Sequence, residues 1–121
     1  MSEQNKQRIE QVNESFAEGD AEKFLSLCTD DVEWSMVGHG THRGKTDIRE
    51  WMASMGTEPP VINASTIIAE GDRVVSYGEM TMKDEHGQLM AYSYCDVYRF
   101  RGELIAELRA FMMRTNAERP H

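Results

Sequence analysis

Apolar positions in the first half of the chain recur at helical spacing, and those in the second half alternate. Ile9, Val12 and Phe16 lie three and four apart, which sets them on one stripe of a helix that starts near Ser2. Gly19 ends it, and Asp20 is placed to cap the next helix. There Ala21, Phe24, Leu25 and Cys28 follow the i, i+3, i+4, i+7 pattern of an amphipathic helix. Thr29-Asp30-Asp31 breaks that pattern. Val32, Trp34 and Met36 then alternate with Glu33 and Ser35, which predicts a short strand with one apolar face. Gly38 to Gly44 reads as loop. A third helix begins near Thr46 or Asp47, buries Ile48, Trp51, Met52 and Met55, and stops at Gly56 and Pro59-Pro60.

Everything after Pro60 reads as strand: 61–69, 73–82, 89–100 and 104–114. The connections are short and carry glycine: Gly71-Asp72, Asp84 to Gly87, and Arg101-Gly102. Such connections make antiparallel hairpins. Helices first and a meander afterwards is the order of an α+β domain with helices packed on one face of a sheet. Strands this long predict strong curvature, and a curved sheet closed by three N-terminal helices encloses a conical cavity suited to a ligand. Alternation leaves the inward face of 73–82 open between Val75-Tyr77-Glu79 and Val74-Ser76-Gly78-Met80.

Composition narrows the partners. At 121 residues the chain is expected to form one domain, 1–121, with a core large enough to need neither disulfide nor structural metal. Thirteen Lys and Arg against 21 Asp and Glu give a net charge of −8, which argues against nucleic-acid binding and against docking on anionic membranes. No apolar run approaches the roughly 20 residues of a membrane span, and the polar N-terminus has no signal-like apolar stretch, so a cytoplasmic location is expected. Cys28 and Cys95 stand apart without metal-ligand spacing, which predicts reduced thiols and no metal or other cofactor.

Chemistry concentrates on one residue. In the stretch 89–100, one face carries Met90, Tyr92, Tyr94, Asp96, Tyr98 and Phe100; the other carries Leu89, Ala91, Ser93, Cys95, Val97 and Arg99. Asp96 thus sits on the bulky aromatic face, where an unpaired carboxylate is costly. Two readings follow. Either it accepts hydrogen bonds from tyrosine hydroxyls or a helix terminus and is structural, or it points into an apolar cavity where desolvation keeps it protonated and able to move a proton.

The stretch Phe16 to Leu25, then Asp31-Val32-Glu33-Trp34, then Gly44 to Trp51, and finally Cys95-Asp96-Val97-Tyr98-Arg99-Phe100 with Gly102-Glu103-Leu104-Ile105, resembles the SnoaL-like branch of the nuclear-transport-factor-2-like superfamily. That superfamily also contains ketosteroid isomerase and scytalone dehydratase. The resemblance spans nearly the whole chain and implies a cone-shaped α+β barrel. It places Asp96 at the position of the isomerase's oxyanion-hole acid, held neutral by an apolar site, and of the acid/base aspartate of the SnoaL-type cyclases. The isomerase's general-base aspartate falls on Trp34 and its oxyanion tyrosine near Val12, so steroid isomerisation by that mechanism is not expected.

Trp34 and Met36 share the inward face of the first strand and are expected to wall the pocket with Val12 and Phe16, while Tyr94 helps to shape it. The resemblance brings Leu108 and Met112 of the last strand's apolar face (Leu104, Ala106, Leu108, Ala110, Met112) to the cavity. For each of these, plain core is the competing reading. His39 and His42 flank the loop that the resemblance places near the pocket mouth, where His39 would assist Asp96 and His42 would face solvent. The opposite sheet face, with Ser93, Cys95, Val97, Ile105, Phe111 and Met113, is apolar enough to need cover, and a homodimer formed sheet to sheet supplies it. The expected ligand is a small, largely apolar molecule bearing a carbonyl or hydroxyl. The expected chemistry is cofactor-independent isomerisation, cyclisation or dehydration with Asp96 as proton donor and acceptor. A non-catalytic binding protein, or a dimerisation module with a vestigial pocket, is the alternative.

Overall fold

The structure is a computed structural model that describes residues 2–54, 61–83 and 86–115. The expected helix stop at Gly56 and Pro59-Pro60, the buried Met55 and the start of the turn at Asp84-Glu85 lie outside the described residues. Helix α1 spans Ser2–Glu18 and buries Ile9, Val12 and Ser15, with Ser15 Oγ donating back to the Val12 carbonyl at 2.6 Å. Gly19 takes φ +69° and its amide donates to the Phe16 carbonyl at 3.2 Å, a left-handed C-terminal stop open to glycine. Asp20 caps α2 (Ala21–Leu25) by accepting from the Lys23 amide at 3.1 Å.

Helix α2 is one turn shorter than the spacing predicts. Cys28 opens strand β1 (Cys28–Met36) because the chain pairs there with the last strand: Cys28 stands opposite Ile105, and the Ile105 amide donates to the Leu27 carbonyl at 2.9 Å. Its side chain stays buried beside Phe24, so the apolar spacing was right about burial and wrong about the backbone. The expected loop from Gly38 contains a short strand, β2 (Gly40–Arg43), which pairs antiparallel with β1. Helix α3 (Gly44–Ser54) begins earlier than expected: Asp47 Oδ2 reaches back to accept from the Arg43 amide at 3.1 Å and stabilises the first turn from within.

Strands β3 (Val61–Glu70), β4 (Arg73–Lys83), β5 (Leu89–Arg101) and β6 (Leu104–Arg114) form the expected antiparallel meander. β1 joins β6 in parallel, so the six-stranded sheet runs β2-β1-β6-β5-β4-β3. This is an α+β fold with helices packed on a mainly antiparallel sheet. One detail departs from simple alternation. Between Arg99 and Phe100 the β5–β6 register slips, so Phe100 faces Ile105 while Arg99 faces Glu107. The extra residue is Ala106, a bulge that reverses the facing of everything before it. Ile105, assigned by alternation to the outer face, is fully buried in the core, and Leu104 is the residue turned outward.

The helices do not cover the sheet evenly. α1 rests on β3 and β4, α3 on β1 and β2, and the short α2 fills the corner between α1, α3 and β1. Cross-strand rows show where packing is complete. Val74, Tyr98, Leu108 and Trp34 stand side by side across β4, β5, β6 and β1, and all are buried. The next inward row is Ser76, Asp96, Ala110 and Met36; beyond it come Gly78, Tyr94 and Met112. Side-chain volume on β4 and β6 drops there, and the space beneath the helices is left open.

Candidate active site

That open space is a cavity of about 640 Å³, within the range of small-molecule sites, roughly 300–1,000 Å³. Strand β4 supplies Met80 and Met82, β5 supplies Tyr94 and Asp96, β6 supplies Ala110 and Met112, and β1 supplies Trp34 and Met36. The helices close it with Phe16 from α1 and with Trp51 and Met52 from α3. The question left open for β4 is thereby answered: Val74, Ser76, Met80 and Met82 face inward, and Tyr77 and Glu79 face out.

Among the described residues, Asp96 is the only carboxylate that the sheet contributes to this lining. Burial pushes its carboxyl up to about 7, and among the described residues no hydrogen bond or neighbouring charge offsets that burial. A carboxyl in this setting holds its proton over much of the pH range in which an ordinary aspartic acid is ionised. It is half-buried, with its free face toward the cavity. Its partner on the core side, Tyr98, is fully buried, and burial together with the Asp96 carboxyl raises the phenol well above its ordinary value. The structural reading of Asp96, in which tyrosine hydroxyls or a helix terminus satisfy it, does not describe this arrangement among the described residues. Tyr94 OH, Tyr98 OH and Trp34 Nε1 are themselves buried without a hydrogen-bond partner among the described residues.

Trp34 occupies the centre of an aromatic cluster. Its ring lies 4.9 Å from Trp51 at 89°, 5.3 Å from Phe24 at 63° and 5.7 Å from Phe16. Edge-to-face pairs of this kind add about 0.5–1.5 kcal/mol each beyond area burial, which holds this part of the lining rigid. His42, expected in solvent, is half-buried: it stacks on Trp51 at 4.3 Å, with Nδ1 3.5 Å from Asp47 Oδ1. The mouth is polar. Arg49 grips Glu22 through two hydrogen bonds, 2.5 and 3.1 Å, which holds the Glu22 carboxyl below its ordinary value.

Of the residues singled out from the sequence, Phe16, Trp34, Met36, Tyr94, Asp96 and Met112 line the cavity. Val12 and Leu108 do not. Both are fully buried in the packed core, because alternation and helical spacing give a residue's facing but not its depth along the row. His39 is also not brought to the site. It is exposed in the β1–β2 turn, where its amide donates to the Met36 carbonyl at 2.7 Å. Trp51, Met52, Met80, Met82 and Arg49 were not singled out as lining residues. The two on α3's apolar stripe looked like core, and only the β4 register separates the two methionines from the outer face. Among the described residues, no group of three or more His, Cys, Asp or Glu is placed to hold a metal ion, and no helix is long and apolar enough to cross a membrane.

A sequence model of the SnoaL-like domain matches residues 9–108. The chain belongs to the SnoaL-like family. No curated protein matches this SnoaL-like sequence. Solved structures do. A candidate polyketide cyclase from Xanthomonas campestris pv. campestris superposes with a TM-score of 0.83 at 16% identity, covering 97% of this chain and 93% of its own. A candidate ketosteroid isomerase from Kribbella flavida gives 0.80 at 13%, covering 99% and 85%. TerC, co-crystallised with polyporic acid, gives 0.77 at 24%, covering 88% and 89%. At these identities the likeness establishes that the SnoaL-like domain shares the nuclear-transport-factor-2-like fold, and the reading of its site rests on its own residues.

Proposed function

We propose that this SnoaL-like domain binds a small, largely apolar molecule bearing a carbonyl or hydroxyl oxygen, and that Asp96 donates a proton to that oxygen or removes one beside it. The chemistry is isomerisation, cyclisation or dehydration by acid/base catalysis without a cofactor. The observation that carries the reading is a carboxyl without a hydrogen-bond partner among the described residues, on the wall of a largely apolar cavity. A neutral acid there pairs with a ligand oxygen without the cost of burying a charge, and a group that titrates near neutrality can both give and take a proton. The aromatic lining of Trp34 and Trp51 supports an apolar ligand. A cavity of this volume speaks against a merely vestigial pocket, and the co-crystal of TerC with polyporic acid makes that compound a sensible first probe.

The test pairs binding with turnover. Polyporic acid binding is followed by quenching of Trp34 and Trp51 fluorescence. Proton exchange is followed by deuterium uptake beside the carbonyl of a panel of cyclic ketones in heavy water. Asp96→Asn is expected to lower exchange by about a hundredfold or more while leaving binding nearly unchanged. Binding with no exchange by the wild type would make the protein a carrier or sensor. Failure of every compound to bind would remove the reading altogether.

The outer sheet face supports a homodimer as a second part of the proposal. Tyr77, Cys95 and Phe111 adjoin one another across β4, β5 and β6, and Met113 follows on β6; Tyr77, Phe111 and Met113 are exposed. A sheet-to-sheet pair of copies covers them. Sedimentation equilibrium is expected to return twice the chain mass, and Phe111→Glu to return the single mass.

A further inference from the structure

Ser76 stands directly across the sheet from Asp96, on the same inward face. Opposed residues of this kind have Cβ atoms about 5 Å apart. Ser76 is fully buried, and the inward positions flanking it on β4 are Val74 and Gly78, neither of which carries a side-chain hydroxyl. Its Oγ lies 3.5 Å from Ser65 Oγ on β3. Ser65 is exposed and accepts a hydrogen bond from Asn13 Nδ2 of α1 at 3.3 Å. Asn13 and Ser65 line a second hollow of about 530 Å³ between α1 and β3, rimmed by Glu10 and Glu14. The Asn13 amide donates to Ser65 Oγ, and either hydroxyl of the Ser65–Ser76 pair can be its donor; in the orientation where Ser65 donates to Ser76, the Ser76 proton is left over. The residue paired with it across β4 and β5 is Asp96.

We propose that Asn13, Ser65 and Ser76 form a polarised hydrogen-bond chain that receives Asp96 when it ionises, with Ser76 as its positioning residue. The inference rests on the reading of Asp96 as the site acid. When Asp96 has passed its proton to a ligand oxygen, the Ser76 hydroxyl proton turns about the Cβ–Oγ bond toward the new carboxylate, while Oγ keeps its contact with Ser65. No bond other than the acid's O–H is broken, and the proton returns from the ligand or from solvent at the end of the cycle. The hydroxyl steadies a charge that the apolar wall opposes, so the acid can let go of its proton as well as hold it. Tyr94 and Tyr98 flank Asp96 on β5 without a hydrogen-bond partner among the described residues, Cys95 turns to the other face, and Glu22, Arg49 and Lys83 line the same cavity from α2, α3 and β4; burial alone raises the Asp96 carboxyl. β6 and β1 present Ala110, Met112, Trp34 and Met36, none of them titratable.

The experiment is a pH titration of the side-chain carboxyl of Asp96 in the full chain, by NMR of 13C-labelled aspartate, with Asp96→Asn to assign the signal. Ser76→Ala is expected to raise the midpoint by about one unit, a tenfold change in the ionisation constant, since it removes a hydrogen bond to the charged form. Ser76→Thr, which keeps the hydroxyl, is expected to stay close to the wild type. Ser65→Ala and Asn13→Ala, at the outer end, shift the midpoint upward by less, and Ser65→Ala adds nothing to Ser76→Ala. An elevated wild-type midpoint that Ser76→Ala leaves in place overturns the chain but not the site acid. A wild-type midpoint near 4 overturns both. Should Ser76→Ala fail to fold, the two outer variants decide, and no shift in either sinks the proposal.

Discussion

The two ends of β5 carry the same alternation into different surroundings. Toward its C-terminal end, Tyr98 and Phe100 are buried in a row-by-row packed core with Val74, Leu108, Ile105, Phe24 and Ile9. Two residues earlier, Asp96 and Tyr94 share their rows with Ser76, Gly78 and Ala110, and the same sheet face becomes the wall of a chamber. No change of backbone separates the two regions. The difference is the volume of the side chains on the flanking strands and the position of the helices, with α1 and α3 lying over opposite edges. A fold of this kind places its chemistry where packing is left unfinished. A polar group can be kept there without partners because the cavity takes the place of a neighbour.

The contrast is broken or kept most visibly by equivalent truncations at the two ends. Phe24→Ala, in the sealed region, removes a fully buried ring and is expected to cost about 3–5 kcal/mol of unfolding free energy. Met112→Ala, on the cavity wall, removes a side chain that already borders open space, and is expected to cost about 1 kcal/mol or less by the same reasoning. Urea denaturation of both variants measures the difference. Equal costs would mean that the chamber closes in solution and that the two regions are one core.

Asp96 sharpens the comparison through pH. Its carboxyl is raised from 3.8 to about 7 in the fold, so between these values the folded state holds a proton that the unfolded chain has lost. Stability attributable to this group is therefore complete below about pH 4 and falls as pH rises toward 7, after which the penalty is constant. Three units correspond to roughly 4 kcal/mol, an upper bound for a half-buried group. Carboxyls held down by cations, such as Asp31 bonded to Thr29 and Arg101, act in the opposite sense in acid, so the raw stability curve mixes both. The difference between Asp96→Asn and the wild type isolates the term: the variant is expected to be more stable at pH 8, by an amount that shrinks to little at pH 4. A difference flat across that range would place the carboxyl in contact with water.

Facing was legible in the sequence; depth was not. The alternation around Asp96 held because β5 runs without interruption through that stretch, and the helical spacing of Ile9, Val12 and Phe16 put all three on the inner side of α1. Whether an inward residue ends in core or cavity depends on its cross-strand neighbours, which only the register supplies. Val12 and Leu108 therefore went to the core while Phe16 and Met112 reached the chamber. The small residues Ser76, Gly78 and Ala110 mark the boundary, yet they carry no signal until β4, β5 and β6 are aligned. Ile105 was misread because one bulge residue inverts the alternation, and His39 because a glycine-bordered turn holds it in solvent. Trp51 was legible as buried on α3's stripe, but its place at the cavity, like that of Arg49, follows from the packing of α3 over β1, a long-range contact.

The mouth provides the weakest and most specific way to divide the two regions. Glu22 and Arg49 are both largely exposed, and an ion pair in such a position adds little to stability because water screens it and two long side chains must be held still. Glu22→Gln is therefore expected to leave the thermal midpoint within replicate scatter. Its effect should appear at the chamber instead. The substitution releases the guanidinium of Arg49 from its bidentate partner at the rim of the cavity, and removes a negative charge from a strongly acidic protein. An acidic ligand such as polyporic acid should then bind a few times more tightly at low ionic strength, and the gain should vanish in 0.5 M salt, where the screening length falls to roughly 4 Å. A gain that survives salt would point to altered packing at the mouth. A loss of thermal stability would make the pair part of the sealed core and move the boundary between the two regions outward to the rim.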